Sequence, residues 1–296
     1  MSEPKVSLIT VHFNQPELTC ALLDSIRRQD YKNVEVIVVD NASRENHEQL
    51  FRERFPAVIF LRSERNLGFA GGNNLALPHA TGTFFFYINN DAELTDGAIR
   101  QLLKVFEQHP KAGIVSPLIC YMPDESGGPD TVQYAGMTPI HPLTGRNRIV
   151  GNKETDRGQY SKPAITAYAH GAAMMVPRGV IDQVGPMQED FFLYYEELDW
   201  SERIRRAGYE IWMQPLARVY HKESMTVEKM GALKTFYMTR NRMWFMRRHF
   251  NTAQRFIFQI FWWMVTVPKN TVSYAVRGEW DNLRAFLRGA MNRSMG

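Results

Sequence analysis

Phe84-Phe85-Phe86-Tyr87-Ile88-Asn89-Asn90-Asp91 is the stretch whose reading decides the fold. Its apolar and aromatic half follows the turn residues Thr81-Gly82 and reads as a strand buried on both faces. That strand runs into two amides and a carboxylate. In an open α/β sheet, ligands bind beyond the carboxyl ends of the strands, which puts Asp91 where a site would be. A carboxylate there can hold a hard divalent cation against a phosphate. The same triplet also starts a turn well, so by itself it leaves both readings open.

Upstream, Val6–Val11 reads as a buried strand that ends at His12-Phe13-Asn14. Pro16 then opens a helix, where its missing N–H costs nothing, and Leu18, Leu22, Leu23 and Ile26 give that helix an apolar face. Val34–Val39 is a second apolar strand ending in Asp40-Asn41-Ala42-Ser43, Glu45–Phe55 is helix-like, and Val58–Leu61 is a third strand. Strands alternating with helices imply right-handed crossovers and a mostly parallel central sheet flanked by helices, an α/β fold.

Asn66–Asn74 places three glycines at a loop-to-helix junction, where backbone N–H groups can approach an anion. The spacing is not the dinucleotide fingerprint, and there is no P-loop lysine. A tight turn explains the glycines equally well; the amides Asn66, Asn73 and Asn74 favour a polar ligand. Downstream, Asp96–His109 reads as a helix and Ile114–Ile119 as a strand, and the pattern then breaks between Tyr121 and Pro163. Gly127-Gly128-Pro129, Thr138-Pro139 and His141-Pro142 punctuate a polar insertion with one short hairpin at Val132–Tyr134, and its length suggests an acceptor-facing role.

Composition narrows the class. The 296 residues can bury a full core. The first residues carry no charged-then-apolar leader, and two cysteines, Cys20 and Cys120, provide no disulfide framework and point to a reducing, cytoplasmic setting. No run of about 18 apolar residues is present for a spanning helix. The net charge of +4 conceals a split: residues 1–225 balance at −5 and residues 226–296 at +9. A basic, aromatic-rich tail on a mildly acidic body suggests an anionic partner.

Several of these segments together resemble the family 2 glycosyltransferases, within them the rhamnosyltransferase-like branch that acts on cell-surface glycans. The resemblance is carried by Val6–Asn14, Val36–Ser43, Asn66–Asn74, Asn89-Asn90-Asp91, His170–Met174, Phe191–Gly208 with Glu196-Glu197-Leu198-Asp199, and Tyr220-His221. It covers about residues 5–245, and several motifs in the right order are far more specific than any one alone. It implies a glycosyltransferase-A catalytic domain over 1–225, including the 121–163 insertion, and a helical C-terminal region over 226–296. It also implies a dTDP- or UDP-sugar donor, with Mg²⁺ or Mn²⁺ as cofactor.

The resemblance further assigns roles. Thr10, Val11 and Asp40 would hold the nucleobase, Asp40 accepting from the N3–H of uracil or thymine. Asn66, Gly68, Phe69, Gly72 and Asn73 would flank ribose and diphosphate. Asn90, Gly171 and Ala172 would border the donor sugar. Asp91 would bind the metal as the only anion of its triplet, with His221 as second ligand, since imidazole suits Mn²⁺. Transfer with inversion needs a base for the acceptor hydroxyl. Glu197 matches the family's base position and has Ser201 rather than a cation four residues on, whereas Asp199 pairs with Arg203 and Glu202 with Arg206 at that spacing. Glu197 is therefore the expected base, with Glu196 and Asp199 shaping the site. Residues 222–226 read as a loop closing over the diphosphate. Arg240-Asn241 matches a signature of the branch, Arg240 pairing with donor phosphates, contacting the membrane or packing a helix.

The tail's Phe256–Val265 run is too short to span a bilayer. Its flanking arginines suit an interfacial helix on anionic lipid, a buried core or dimer helix being the competing reading. The sequence thus predicts a peripheral enzyme on the inner face of the cell membrane, acting on a glycan or polyprenyl-linked acceptor and not on nucleic acid. A sugar nucleotidyltransferase would want basic residues after the first strand, where His12-Phe13-Asn14-Gln15 stands. A catalytically silent sugar-nucleotide-binding membrane adaptor would not need Asp91, Glu197 and His221 together.

Overall fold

The computed structural model describes residues 3–123, 129–222 and 231–292. The turn at Gly127-Gly128 and most of the 222–226 loop lie outside the described residues. The first half follows the expected alternation: β1 (Val6–His12), α1 (Pro16–Arg28), β2 (Val34–Asp40), α2 (Glu48–Arg54), β3 (Ile59–Arg62), α3 (Gly68–Leu75) and β4 (Phe84–Ile88). These four strands lie side by side as β3-β2-β1-β4, all parallel.

Beyond β4 the sheet becomes mixed. After it come β5 (Ala92–Leu94), α4 (Ala98–Gln108), β6 (Ala112–Tyr121), β7 (Thr131–Tyr134), β8 (Glu154–Thr155), β9 (Ala164–Thr166) and β10 (Ala173–Pro177). The sheet-bearing part closes with α5 (Arg178–Val184), α6 (Glu196–Arg206) and β11 (Glu210–His221). β10 runs antiparallel between β4 and β6, and β11 runs parallel to β6. A loop rather than a crossover helix leads into β10, so nothing forces it to run parallel. The insertion is not an irregular loop throughout, because β7 pairs antiparallel with both β6 and β8.

This topology decides where a site can lie. β1, β2, β4, β6 and β11 all run in one direction, so their carboxyl ends share one edge of the sheet. Asp40, Asn89–Asp91 and His221 stand at that edge. The three-residue β5 turns back antiparallel along the end of β11 with Ala92 opposite His221, and the Lys222 N–H donates to the Asp91 carbonyl at 3.0 Å. Asp91 and His221, 130 positions apart in sequence, become neighbours through that pairing.

Two apolar layers sandwich the sheet. Leu8, Val36, Val38 and Phe86 face α1 and α4, whereas Ile9, Ile37, Val39, Phe85 and Tyr87 face the side that carries Trp200. Trp200 is fully buried, meets Tyr87 edge-on at 5.4 Å and donates to the Gly185 carbonyl at 2.9 Å, fixing α6 against the sheet. A side chain of that size buried completely contributes roughly 3 kcal/mol or more, as aromatic truncations in cores show.

The C-terminal region consists of α7 (Gly231–His249), α8 (Thr252–Phe261), a π-helical turn at Trp262–Thr266, α9 (Val267–Val276) and α10 (Trp280–Met291). Asn251 caps α8 reciprocally with Gln254, satisfying two N–H groups at the helix start. Trp244, Phe245 and Met246 of α7 are buried in the same core as Phe191 and Tyr195, so α7 packs as part of the sheet-bearing body.

Candidate active site

A cleft of about 500 Å³ opens at the carboxyl edge of the sheet. Of the residues singled out in the sequence, it is lined by Phe69, Asn90, Asp91, Gly171, Ala172, Glu196, Glu197 and His221. Thr10, Val11, Asp40, Asn66, Gly68, Gly72, Asn73 and Asp199 do not line it.

At one end, His221 Nε2 stands 3.1 Å from Asp91 Oδ1 and 3.2 Å from the Asn89 amide nitrogen. The other ring nitrogen, Nδ1, lies 2.8 Å from Gln133 Oε1 on β7. With that oxygen accepting, Nδ1 carries the hydrogen and Nε2 turns a lone pair toward the carboxylate. A histidine held this way by its far nitrogen is oriented as metal-ligating histidines commonly are. The donor set, one carboxylate and one imidazole, suits Mn²⁺ well and Mg²⁺ less well. Among the described residues no group of three or more His, Cys, Asp or Glu could enclose a metal. The remaining ligands would have to be diphosphate oxygens and water, which is how such ions are usually held.

At the other end stand Glu196 and Glu197, the first two residues of α6. Glu196 is 3% exposed and its Oε2 has no hydrogen-bond partner. Burial, and then the neighbouring Glu197 charge, push its carboxyl well above the usual range. Glu197 flanks Gly171 and the cleft; burial raises it to about 7, against the opposing pull of backbone N–H groups at the helix start. A carboxylate poised near neutrality can accept a proton from a hydroxyl and hold it.

The loop that delivers these acids is strained. Phe192, Tyr194 and Tyr195 have φ of 64°, 68° and 75°, the left-handed region that non-glycine residues avoid. One side chain holds it: Nδ2 of the fully buried Asn241 approaches the carbonyls of Phe191, Leu193 and Tyr194 at 3.0, 2.8 and 2.7 Å. Arg240 adds bonds to the Asp190 and Phe191 carbonyls at 3.0 and 2.8 Å, and its guanidinium stacks 4.0 Å from the Trp244 ring centre. Gly68 lies beneath. Its φ is +73°, a Cβ there would overlap the Phe192 carbonyl oxygen, and the Phe69 N–H donates to that oxygen at 2.7 Å. Arg240 therefore binds backbone and an aromatic ring, which among phosphate pairing, membrane contact and helix packing favours packing.

Asp199 departs from its expected role. It is fully buried, 2.8 Å from Arg203, 2.7 Å from His249 and 3.3 Å from Arg248. It ties α6 to the end of α7 and does not shape the cleft. The i,i+4 spacing to Arg203 already contained that signal.

The expected nucleotide pocket lies beside the cleft. Asp40 is fully buried; its Oδ1 accepts from the Ser43 N–H at 2.9 Å, while Oδ2 has no hydrogen bond and lies 3.4 Å from Arg62 Nε. Thr10 Oγ1 is also buried without a partner. Both oxygens are left with hydrogen-bonding capacity to spare, although the Arg62 charge compensates Asp40. The loop amides, by contrast, are engaged internally. Asn66 Oδ1 accepts from Asn41 Nδ2 at 3.0 Å and from the Gly68 N–H at 2.9 Å, and Asn73 Nδ2 donates to the Phe69 carbonyl at 2.9 Å. Gly72 packs on the Val11 side chain. These residues build the loop rather than face the cleft.

Asn41, Gln133 and Asn241 escape the sequence reading as organisers of the site, because each acts on backbone or on another side chain. Phe13, 38% exposed at the cleft mouth, offers a flat apolar face. Lys234 lines the cleft and has no hydrogen-bond or ion-pair partner among the described residues. His170 also lines it; burial first, and then the nearby His221, lower its imidazole to about 3, so it is neutral.

The family model described as Glycosyl transferase family 2 matches residues 7–185. The chain belongs to that family. Among its relatives, the low-salt glycan biosynthesis hexosyltransferase Agl10 of Haloferax volcanii is 25% identical over 76% of this chain and 74% of its own. The N-acetylglucosaminyl-diphospho-decaprenol L-rhamnosyltransferase of Mycobacterium tuberculosis is 26% identical over 68% and 71%. Among solved structures, the mannosyltransferase PcManGT of Pyrobaculum calidifontis, in complex with GDP-Man and Mn²⁺, matches with a TM-score of 0.60 at 17% identity, over 98% of this chain and 86% of that one. That likeness carries the fold. The glycosyltransferase has the expected glycosyltransferase-A architecture, with its candidate residues at the edge where that architecture puts the carboxyl ends of its strands.

Proposed function

We propose that this glycosyltransferase is inverting and metal-dependent, moving a sugar from a dTDP- or UDP-sugar to a lipid-linked or cell-surface glycan at a membrane. One observation carries the reading: a single cleft holds the Asp91–His221 pair at one end and a carboxylate raised to about 7, Glu197, at the other. Asp91 and His221 would hold Mn²⁺ or Mg²⁺, which when bound offsets the charge on a departing diphosphate. Glu197 takes the acceptor hydroxyl proton on the opposite side of the sugar, as single-displacement inversion requires. Burial and the neighbouring Glu197 charge disfavour a second negative charge at Glu196. Lys234 supplies a cation for phosphate oxygen.

Asp40 Oδ2, which accepts no hydrogen bond, supports a base that donates N3–H, which uracil and thymine do, and Phe13 offers a stacking face. L-rhamnose as the sugar rests on the mycobacterial relative's name alone. Membrane contact is supported by an apolar face on α8 and α9: Phe256, Met264 and Val276 are 64%, 74% and 82% exposed, in a region of balance +9. No helix among the described residues is long and apolar enough to cross a membrane.

The test is nucleoside diphosphate release from a donor panel (dTDP-rhamnose, UDP-hexoses, GDP-mannose) with a lipid-linked acceptor, with Mn²⁺ or with EDTA. Release from a dTDP- or UDP-sugar, abolished by EDTA, is expected. Turnover of GDP-mannose alone, or full activity in EDTA, would contradict the proposal.

A further inference from the structure

Next to the cleft lies a concentration of positive charge that the transfer chemistry does not use. Arg146 sits in the loop between β7 and β8, and Arg242 on α7. The Arg242 stem runs against the backbone at Gly145, where a Cβ would stand 3.0 Å from its Cγ and 3.2 Å from its Cδ. Neither arginine pairs with a carboxylate among the described residues. Repulsion from Arg242, and then burial, lower the affinity of Arg146 for its own proton.

Elsewhere the chain matches its buried cations with acids: Arg218 has both Asp130 and Asp156, and three basic groups share Asp199. Arg146 and Arg242, on adjoining segments, have no acid partner of that kind among the described residues. Their forked donors fit phosphate oxygens, in pairs, better than any other common ligand.

Their surroundings say where such a ligand would extend. On one side, Arg242 Nε donates to the Tyr195 hydroxyl at 3.3 Å, and Tyr195 lines the cleft, as does Asn147 next to Arg146. On the other side, the Arg242 guanidinium lies 5.7 Å from the Trp262 ring centre, and a Cβ on Gly145 would stand 2.9 Å from Phe258. Phe258 and Trp262 are the buried members of the same segment whose remaining residues, Phe256, Ile257, Trp263 and Met264, are exposed and apolar. The arginine pair thus lies between the transfer cleft and the apolar surface.

We propose that Arg146 and Arg242 bind the diphosphate of a prenyl-diphosphate-linked acceptor, whose sugar enters the cleft while its hydrocarbon runs toward the exposed face of α8 and α9. This deepens the glycosyltransferase reading and rests on it. A diphosphate could also come from the donor, and the test separates the two sources.

The full chain, with UDP and Mn²⁺ saturating the donor site, is titrated with farnesyl diphosphate and with farnesol, following tryptophan fluorescence. UDP affinity is measured separately. Arg146 is exposed, so Arg146→Gln and Arg146→Glu should keep the fold, which a thermal melt verifies. Wild-type protein should bind farnesyl diphosphate at least about tenfold more tightly than farnesol, in keeping with charge-assisted bonds. Arg146→Gln should remove most of that preference and Arg146→Glu all of it, with farnesol and UDP affinities unchanged. Equal farnesyl diphosphate binding in wild type and both variants would overturn the proposal. So would a loss of UDP affinity in step, which would assign the pair to the donor. Failure of every nucleotide to bind would instead sink the glycosyltransferase mechanism, while the farnesyl diphosphate preference remained measurable on its own.

Discussion

Replacing Asn241 by leucine should cost both stability and rate, and the structure allows the two to be separated. Its amide nitrogen has two hydrogens to share among three carbonyls, those of Phe191, Leu193 and Tyr194. Losing two net hydrogen bonds costs about 2 kcal/mol, and stranding the buried carbonyls adds about 1 to 3 kcal/mol. The loop also stores strain at Phe192, Tyr194 and Tyr195, of order 1 kcal/mol or more per residue. Part of that strain is released when the clamp goes, so a net loss of about 3 kcal/mol is expected. The released loop carries Glu196 and Glu197 away from their positions. A displacement near 1 Å at a catalytic group costs about 10²-fold in rate. The kcat of Asn241→Leu should therefore fall about a hundredfold, with the donor KM nearly unchanged because Asp40 and Thr10 stand on other strands. Asn241→Asp, which keeps the shape but turns acceptors toward carbonyls, should be at least as damaging. Thermal melts and steady-state kinetics on the same preparations provide the check. A folded Asn241→Leu protein with kcat within twofold of wild type would refute the claim that the clamp positions the base.

Other outcomes follow from the same geometry. Because Glu197 must be ionised to accept a proton and titrates at about 7, kcat/KM should fall tenfold per unit as pH drops below that value and level off above it; a profile flat down to pH 5 would exclude Glu197 as base. Gly68→Ala forces a side chain into left-handed backbone against the Phe192 carbonyl, so it should cost more than about 1 kcal/mol in a denaturant melt and lower kcat as well. Trp263→Glu with Met264→Glu alters only the exposed face of the π-helical turn; it should leave the melting temperature in place and abolish flotation with anionic vesicles, whereas flotation equal to wild type would remove the membrane from the account.

Much of the fold is legible because strands β1 to β4 alternate with helices and each carries a continuous apolar run. The second half is harder to read for a physical reason. β5 has only three residues, and its pairing with the end of β11 depends on a register that no local pattern encodes. Yet this pairing brings Asp91 to His221. Nor does any local pattern show that β11 runs unbroken from Glu210 to His221 while its register against β6 shifts between Gln214 and Arg218. The family resemblance, not residue type alone, groups Asp91, His221 and Glu197, and they line one cleft. Residue types could not reveal that Asn66 and Asn73 serve the loop itself, since an amide suits a ligand and a carbonyl equally. Asn241 belongs to the Arg240-Asn241 signature, but left-handed tyrosines leave no trace in a sequence, so nothing announces its part in holding them.

The central claim is that Glu197 removes the acceptor proton in a cleft where Asp91 and His221 hold the metal. Transfer to acceptor by Glu197→Gln, measured beside donor affinity and with Asp91→Ala as companion, tests it most directly. The account predicts that Glu197→Gln binds donor as wild type does and transfers about 10² to 10⁴-fold more slowly, the range a general base supplies, while Asp91→Ala loses Mn²⁺-dependent donor binding. A Glu197→Gln protein that transfers at the wild-type rate would contradict it.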